Sequence, residues 1–382
     1  MTPTRRRARA PLWTRVLILS GALLMVLSGG LIIAERVAIH TATDSFNRVQ
    51  VGAFGEDDQG HRRQSTIQGA KNILLVGIDP RNLDQLDVNG VRSDSIIMLH
   101  VTAAHDQAYL VSIPRDTLAR IPAYDNGRQH GGEASDKINA AFARGAYGLT
   151  GTDALGHGLD LLARTIKLNW GVTFAAGAIV DFGGFQEVVH FIGGVDMYVD
   201  ERVTSIHIGT DRNGKPVTPA YRLVGNTPVP IPGVTPVRYE RGMHHFDAWA
   251  ALDYCRQRDL LENGDSDYGR QRHQQQFLKA VFKKIVAQYL GSPTKLPGVL
   301  QQVGKAMTIS DGGIPLEEWV FAMRGISTSG LVTIKTNGGR FNSTPDNKYE
   351  LISPDSQALF RSVVDDTMDT FVATHLDWVA TG

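Results

Sequence analysis

Apolar runs of strand length recur along the chain from residue 70 onward: KNILLVGI (71–78), SIIMLHV (95–101), QAYLVSI (107–113), AAGAIVDF (175–182) and VDMYV (195–199). Each is short and bounded by turn-forming residues, which predicts buried strands. Between and after them the apolar positions switch to a helical period, at about 138–146, 152–168, 182–192, 268–290, 314–325 and 354–366. Strands interleaved with helices predict an α/β fold, a central sheet covered by helices on both faces. No internal repeat is visible.

One apolar run differs in kind. VLILSGALLMVLSGGLII, residues 16–33, carries no charge and follows Arg5, Arg6, Arg7, Arg9 and Arg15. As a helix it spans about 27 Å, enough to cross a bilayer. The arginine excess on its N-terminal side predicts a single-pass anchor with the N-terminus in the cytoplasm and the remainder outside. A cleaved signal peptide is the competing reading, but no small-residue cleavage site follows. The expected organisation is a cytoplasmic tail (1–15), a transmembrane helix (16–34), an extracytoplasmic spacer (35–68) and one domain (69–382). The spacer assignment rests on the polar, aperiodic texture of residues 41–68. Residues 203–245 hold six prolines and read as a long loop, either a tolerated insertion or a substrate-facing lid.

At 382 residues, 42% hydrophobic and 20% charged, the chain can bury a sizeable core. Its formal net charge of zero excludes the basic footprint of a nucleic-acid binder, so any anion site is local. A single cysteine, Cys255, excludes a disulfide framework and reads as core.

Charge is concentrated where the first three strands turn. KNILLVGI stops on Asp79 and Arg81, SIIMLHV starts from Arg92 and Asp94, and QAYLVSI ends in PRDT with Arg115 and Asp116. Antiparallel pairing would bring all three ends to one edge of the sheet. Two later segments send arginine to the same place. Arg256 and Arg258 lie about 200° apart on a helix but share a face if DYCRQR is a strand. In YGRQRHQQQFLKAVFKKIVAQYL the apolar stripe extends back through Gln274 to Arg270, while Arg272 falls on the polar face and reads as solvated. Guanidinium forks match phosphate oxygens, and Mg2+ is held by one or two carboxylates plus phosphates. The inferred ligand is a pyrophosphate with Mg2+, Mn2+ being the alternative. No P-loop or glycine-rich dinucleotide turn is present. A pyrophosphate outside the cytoplasm, beside a membrane anchor, points to a polyprenyl pyrophosphate carrier.

NILLVGIDPR with VRSDSIIML, then VSIPRDT, DKINAAFARG, VDFGGFQEVV with IGGV, AALDYCRQR and DYGRQRHQQQF resemble, in order, the motifs of the LytR-CpsA-Psr family. The resemblance runs from about Phe46 to Ile285, and PDSQALFRSVVDD is similar to the tail of actinobacterial-type members. It implies an α-β-α layered fold with a central mixed sheet, whose helices enclose a lipid chain. It also implies a membrane-anchored, Mg2+-dependent phosphotransferase that moves a glycopolymer from an undecaprenyl or decaprenyl pyrophosphate to peptidoglycan and releases the polyprenyl phosphate. Carried over by position, the metal-associated aspartates are Asp79 and Asp94, which with Arg115 form the catalytic group. The pyrophosphate ligands are Arg92, Arg115, Arg256, Arg258 and Arg270, with Gln274 beside them. Arg81 and Lys137 match further positively charged positions.

Three departures stand out: His273 replaces a common arginine, His190 an aspartate and Ala248 a glycine. The His244–His245 pair has no partner at metal-ligand spacing. A hydrolase that uses water as acceptor and a non-catalytic lipid-glycan binding module fit the same arginine site. A transcription regulator does not, because nearly all the chain is expected outside the cytoplasm. The glycopolymer itself is not legible, since arabinogalactan, teichoic-type and capsular polymers would use the same phosphate machinery.

Overall fold

The structure, a computed structural model, describes residues 37–44, 46–54, 67–79, 91–225, 227–290 and 295–380. The predicted membrane segment lies outside these residues. Among those described, no helix is long and apolar enough to cross a membrane.

The core is a seven-stranded mixed sheet in the order Asn47–Arg48, Met307–Ser310, Ala176–Val180, Lys71–Ile78, Ser93–Val101, Ala108–Ser112, Leu331–Ile334. Lys71–Ile78, Ser93–Val101 and Ala108–Ser112 pair antiparallel in succession, as predicted from their charged ends, while Ala176–Val180 pairs parallel with Lys71–Ile78 and the two edge strands pair parallel with their neighbours. Strand periodicity divides the side chains between two faces. Leu74, Val76, Ile96, Met98 and Val111 are buried in one cluster with Phe142, Leu155, Leu159, Leu162 and Ile166 from the helices Asn139–Ala146 and Gly151–Trp170. Ile73, with partly buried Leu75 and Leu99, packs toward Trp319 and Met323 on the other face. The helix pair sits close because it meets at glycines. A Cβ on Gly145 would lie 2.2 Å from the His157 carbonyl, and one on Gly158 would lie 2.9 Å from the Phe142 ring.

Two expectations are corrected. Residues 46–54, assigned to the spacer, belong to the domain. Asn47–Arg48 forms an edge strand, and Val49, Val51 and Phe54 are buried in the main core. Phe54 lies over Gly177, where a Cβ would come within 2.8 Å of its ring. The proline-rich stretch 203–245 is not a loop but a set of short antiparallel strands from Val203 to Phe246. Pro216, Pro228, Pro230 and Pro236 all lie within those strands, in pairings of two or three strands where a missing amide is tolerated at an edge. VDMYV forms a strand as expected, but it pairs with Gly242–Phe246 rather than joining the central sheet.

Glu350 ties distant segments together. Its amide donates to the Asp116 carbonyl (2.9 Å) and its carbonyl accepts from the Leu118 amide (2.8 Å). Its carboxylate, 5% exposed, accepts from the Tyr268 hydroxyl (2.7 Å), Asn337 Nδ2 (3.0 Å), Ser343 Oγ (2.9 Å) and the Asn342 amide (2.7 Å).

Candidate active site

The two central strands end in a bulge. Gly77 pairs with Ser95 but Ile78 pairs with Ser93, leaving Asp94 as the extra residue. Bulges re-aim side chains, and here Asp94 joins Asp79 in the lining of one cavity of about 400 Å3. Arg115, just past the third strand, reaches the same cavity and contacts Asp94 Oδ1 through Nη1 at 2.5 Å.

The helix Ser266–Ile285 supplies the next wall. Arg270 is 6% exposed; its Nη2 donates to the Asp94 carbonyl (3.0 Å) and pairs with Asp267 at 2.7 Å. Asp267 also lies 3.7 Å from Arg115 Nε, so one carboxylate joins two arginines. Burial depresses the Arg270 guanidinium, Asp267 opposes that, and Arg115 and Arg258 add to the depression. For Arg115 burial also pulls downward, but Asp267 and Asp94 overcome it and the net shift is upward. Positive charge is thus crowded where an anion would relieve it.

The helix Ala248–Arg256 ends just after Arg256, because Gln257 turns extended (φ −67°, ψ 134°). DYCRQR is therefore helix followed by a break, not the strand proposed from period alone. The break brings Arg256 and Arg258 to one cavity all the same. Gln257 is fully buried and holds the break, accepting from the Ile206 amide (3.1 Å) and donating to Asp253 Oδ1 (2.7 Å). The Arg256 guanidinium lies 4.3 Å from the centroid of the Phe182 ring, a cation–π contact. Gln274 Nε2 donates to the Cys255 carbonyl (3.3 Å). Burial, with Asp253 nearby, pushes the Cys255 thiol up, so it is an inert core residue.

Away from its charged residues the cavity is apolar, lined by Phe182, Phe185, Val188, Leu278, Val281 and Ile285. These side chains are only half-buried although they lie between helices and sheet. The sheet side is kept low by Gly77, Ser95 and Ala178. The result is a bore open between sheet and helices.

Seven of the ten residues expected from sequence thus share one cavity: Asp79, Asp94, Arg115, Arg256, Arg258, Arg270 and Gln274. Arg92 is exposed and lines a second cavity, with Tyr124, Asp136, Arg144 and Tyr147. Lys137 pairs with Asp116 at 2.9 Å, beside Arg115 but outside the lining. Arg81 lies outside the described residues. Sequence reading missed Asp267, which stands one helical turn before Arg270, and His207, a cavity-lining residue from the proline-rich stretch.

Arg272 is not solvated, as its helical position had suggested. Its guanidinium contacts Asp265 and Glu201 and lies 2.8 Å from Asp200. His273 turns away from the cavity and is fully buried, 3.3 Å from Glu201. Asp200, Glu201 and His273 are grouped closely enough to hold a metal ion, but the cation between these carboxylates is Arg272 itself.

Residues 36–349 match the model of the LytR_cpsA_psr family. The chain belongs to the LytR-CpsA-Psr family. Among its relatives is a polyisoprenyl-teichoic acid–peptidoglycan teichoic acid transferase, TagU, of Oceanobacillus iheyensis, 26% identical over 78% of this chain and 77% of that protein. TagT of Bacillus subtilis, with the same transferase name, is 23% identical over 73% of this chain and 72% of its own. TagU of Bacillus cereus is 28% identical over 56% of this chain, which spans about half, 52%, of that protein. Two LytR-CpsA-Psr structures share the fold. B. subtilis TagV superposes with a TM-score of 0.54 at 20% identity, over 79% of this chain and 98% of that one. TagT bound to LI-WTA superposes with a TM-score of 0.53 at 18% identity, over 84% and 99%.

Proposed function

We propose that the protein is a glycopolymer ligase that transfers a glycan from a polyprenyl pyrophosphate carrier to peptidoglycan through a phosphodiester, releasing polyprenyl phosphate. The observation that carries this reading is one continuous cavity in which four arginines stand with Asp79 and Asp94 beside an apolar bore. A ligand that is pyrophosphate at one end and isoprenoid at the other matches both parts. The relatives' transferase names support the same reaction class.

In this reading the lipid lies along Phe185, Val188, Leu278 and Val281, which fixes the phosphates among Arg115, Arg256, Arg258 and Arg270. An acceptor sugar hydroxyl attacks the glycan-proximal phosphorus, and the bond from that phosphorus to the bridging oxygen breaks. Preorganised guanidinium groups stabilise the charge that builds on the equatorial and bridging oxygens. Asp79 and Asp94 bring hard carboxylate oxygens from neighbouring strand ends to one cavity, a donor set that suits Mg2+ or Mn2+ completed by phosphate and water. A cation held there would supply further neutralisation of phosphate charge. Asp267 keeps Arg115 and Arg270 in register. The segment 16–33 would anchor the domain to the outer face of the membrane.

The test is purified protein given a short-chain polyprenyl pyrophosphate disaccharide and a peptidoglycan oligomer, with and without chelator. Phosphodiester-linked product that disappears on chelation is expected. Release of glycan phosphate alone would make the protein a hydrolase, and tight donor binding without turnover would make it a binding module.

A further inference from the structure

His207 enters the active cavity from the β-rich segment 203–246, and its surroundings are those of a positioned base. Its strand, Val203–Thr210, pairs with Thr235–Tyr239, but the register breaks between Thr204 and Gly209. Within that break Ser205 Oγ accepts from the His207 and Ile208 amides at 3.1 and 3.0 Å, shaping the turn that carries the imidazole. Nδ1 of His207 lies 3.1 Å from Asp253 Oδ1 and 2.9 Å from Gln257 Nε2.

Asp253 is 3% exposed and accepts from Ser205 Oγ (2.9 Å), Gln257 Nε2 (2.7 Å) and the Tyr239 hydroxyl (2.8 Å) besides His207. Burial and Asp253 itself push the Tyr239 phenol upward, so it remains a donor. A carboxylate so fully engaged cannot swing toward substrate, but it can fix a ring. Asp253 Oδ1 can only accept, whereas Gln257 Nε2 has Ser205 Oγ (3.1 Å) besides Asp253 for its two protons. The arrangement that satisfies all of these groups therefore donates Nδ1–H to Asp253 and leaves the lone pair on Nε2, for which no protein partner is found among the described residues. The imidazole is 30% exposed and lines the same cavity as Arg256 and Arg258. Gln257, whose extended backbone turns Arg258 toward that cavity, also bonds Asp253, so the phosphate-binding arginines and the imidazole are mounted on one fixed support.

We propose that His207 is the general base of the transfer reaction, with Asp253 as its positioning residue; this rests on the ligase reading above. The acceptor hydroxyl gives its proton to Nε2 as its oxygen forms the new bond to the glycan-proximal phosphorus. The bridging P–O bond breaks, and polyprenyl phosphate leaves with the electron pair. The imidazolium that results is balanced by Asp253.

The experiment uses the purified full chain, a short-chain polyprenyl pyrophosphate disaccharide and a peptidoglycan oligomer. His207→Ala should lower kcat by about 10²-fold with donor affinity and thermal unfolding preserved, and added imidazole should restore at least a tenth of the lost rate. His207→Gln, which fills the space without a basic nitrogen at Nε2, should be equally slow. A folded His207→Ala protein within twofold of wild type, or a deficit that imidazole leaves untouched, would overturn the assignment. Wild-type protein that forms no linked product would instead overturn the ligase reading itself.

Discussion

Arg270 and Arg272 stand two positions apart on one helix, about 200° around it, and do opposite work. Arg270 faces the cavity and leans on Asp94 and Asp267, whereas Arg272 is spent on Asp200, Glu201 and Asp265. The first was legible because it continues an apolar stripe. The second was not, because its partner Glu201 lies 71 residues upstream and nothing local announces it. For Glu201 burial pushes the carboxyl up, but His273, the Asn263 amide and Arg272 outweigh it and the net shift is downward. The unfolded chain therefore binds a proton here more readily than the folded one. This contribution to stability is complete above the ordinary carboxyl value of 4.5 and is lost as pH falls through the lower folded value. Glu201→Gln should weaken the fold at pH 7 by about 3 kcal/mol, the cost of breaking a buried pair, and flatten the acid limb. Urea unfolding at pH 7 and pH 4 checks both.

At the scale of elements, the strands were readable from apolar runs and the helices from their period. Their joints were less so. The break after Arg256 depends on Gln257 finding Ile206 and Asp253, contacts that no local pattern encodes. Prolines at 216, 228, 230 and 236 looked like loop residues because pairing confined to two or three strands cannot be seen in one-dimensional sequence. The bore was invisible for a related reason, since its lining residues are those of any core. It exists because Gly77, Ser95 and Ala178 face half-buried helix side chains across an unfilled space. Val281→Trp should fill that space at little cost to folding. Activity should fall more than 10-fold with a long polyprenyl donor and much less with a two- or three-isoprene analogue, measured by product formation on both donors. Equal loss on both donors would place the lipid elsewhere.

For the molecule as a whole, the layered α/β arrangement and the convergence of three strand ends were expected, but the N-terminal boundary was not. Residues 41–68 looked like spacer because Val49, Val51 and Phe54 are few among polar neighbours; in space they complete the core under the sheet. Burying three such side chains contributes about 5–9 kcal/mol before entropy is counted, comparable with the net stability of a typical domain. Protein beginning at residue 67 should therefore melt far below protein beginning at residue 37, or fail to fold cooperatively, as calorimetry would show.

Glu350 gives the molecule a timetable. The chain is made from its N-terminus, so the strand after Arg115 and the helix that bears Arg270 are both complete while the carboxylate that joins them has yet to be synthesised. Until that residue arrives, Tyr268 lacks its acceptor and the backbone beside Asp116 lacks its partner. The two walls of the phosphate site are then fixed to each other through Asp267, the backbone of Asp94 and the Gln275–Ser112 bond, without the clamp at Glu350. A nascent or C-terminally clipped chain that lacks Glu350 can hold most of its sheet yet have no finished place for a pyrophosphate, and competence is conferred only once that residue has been made.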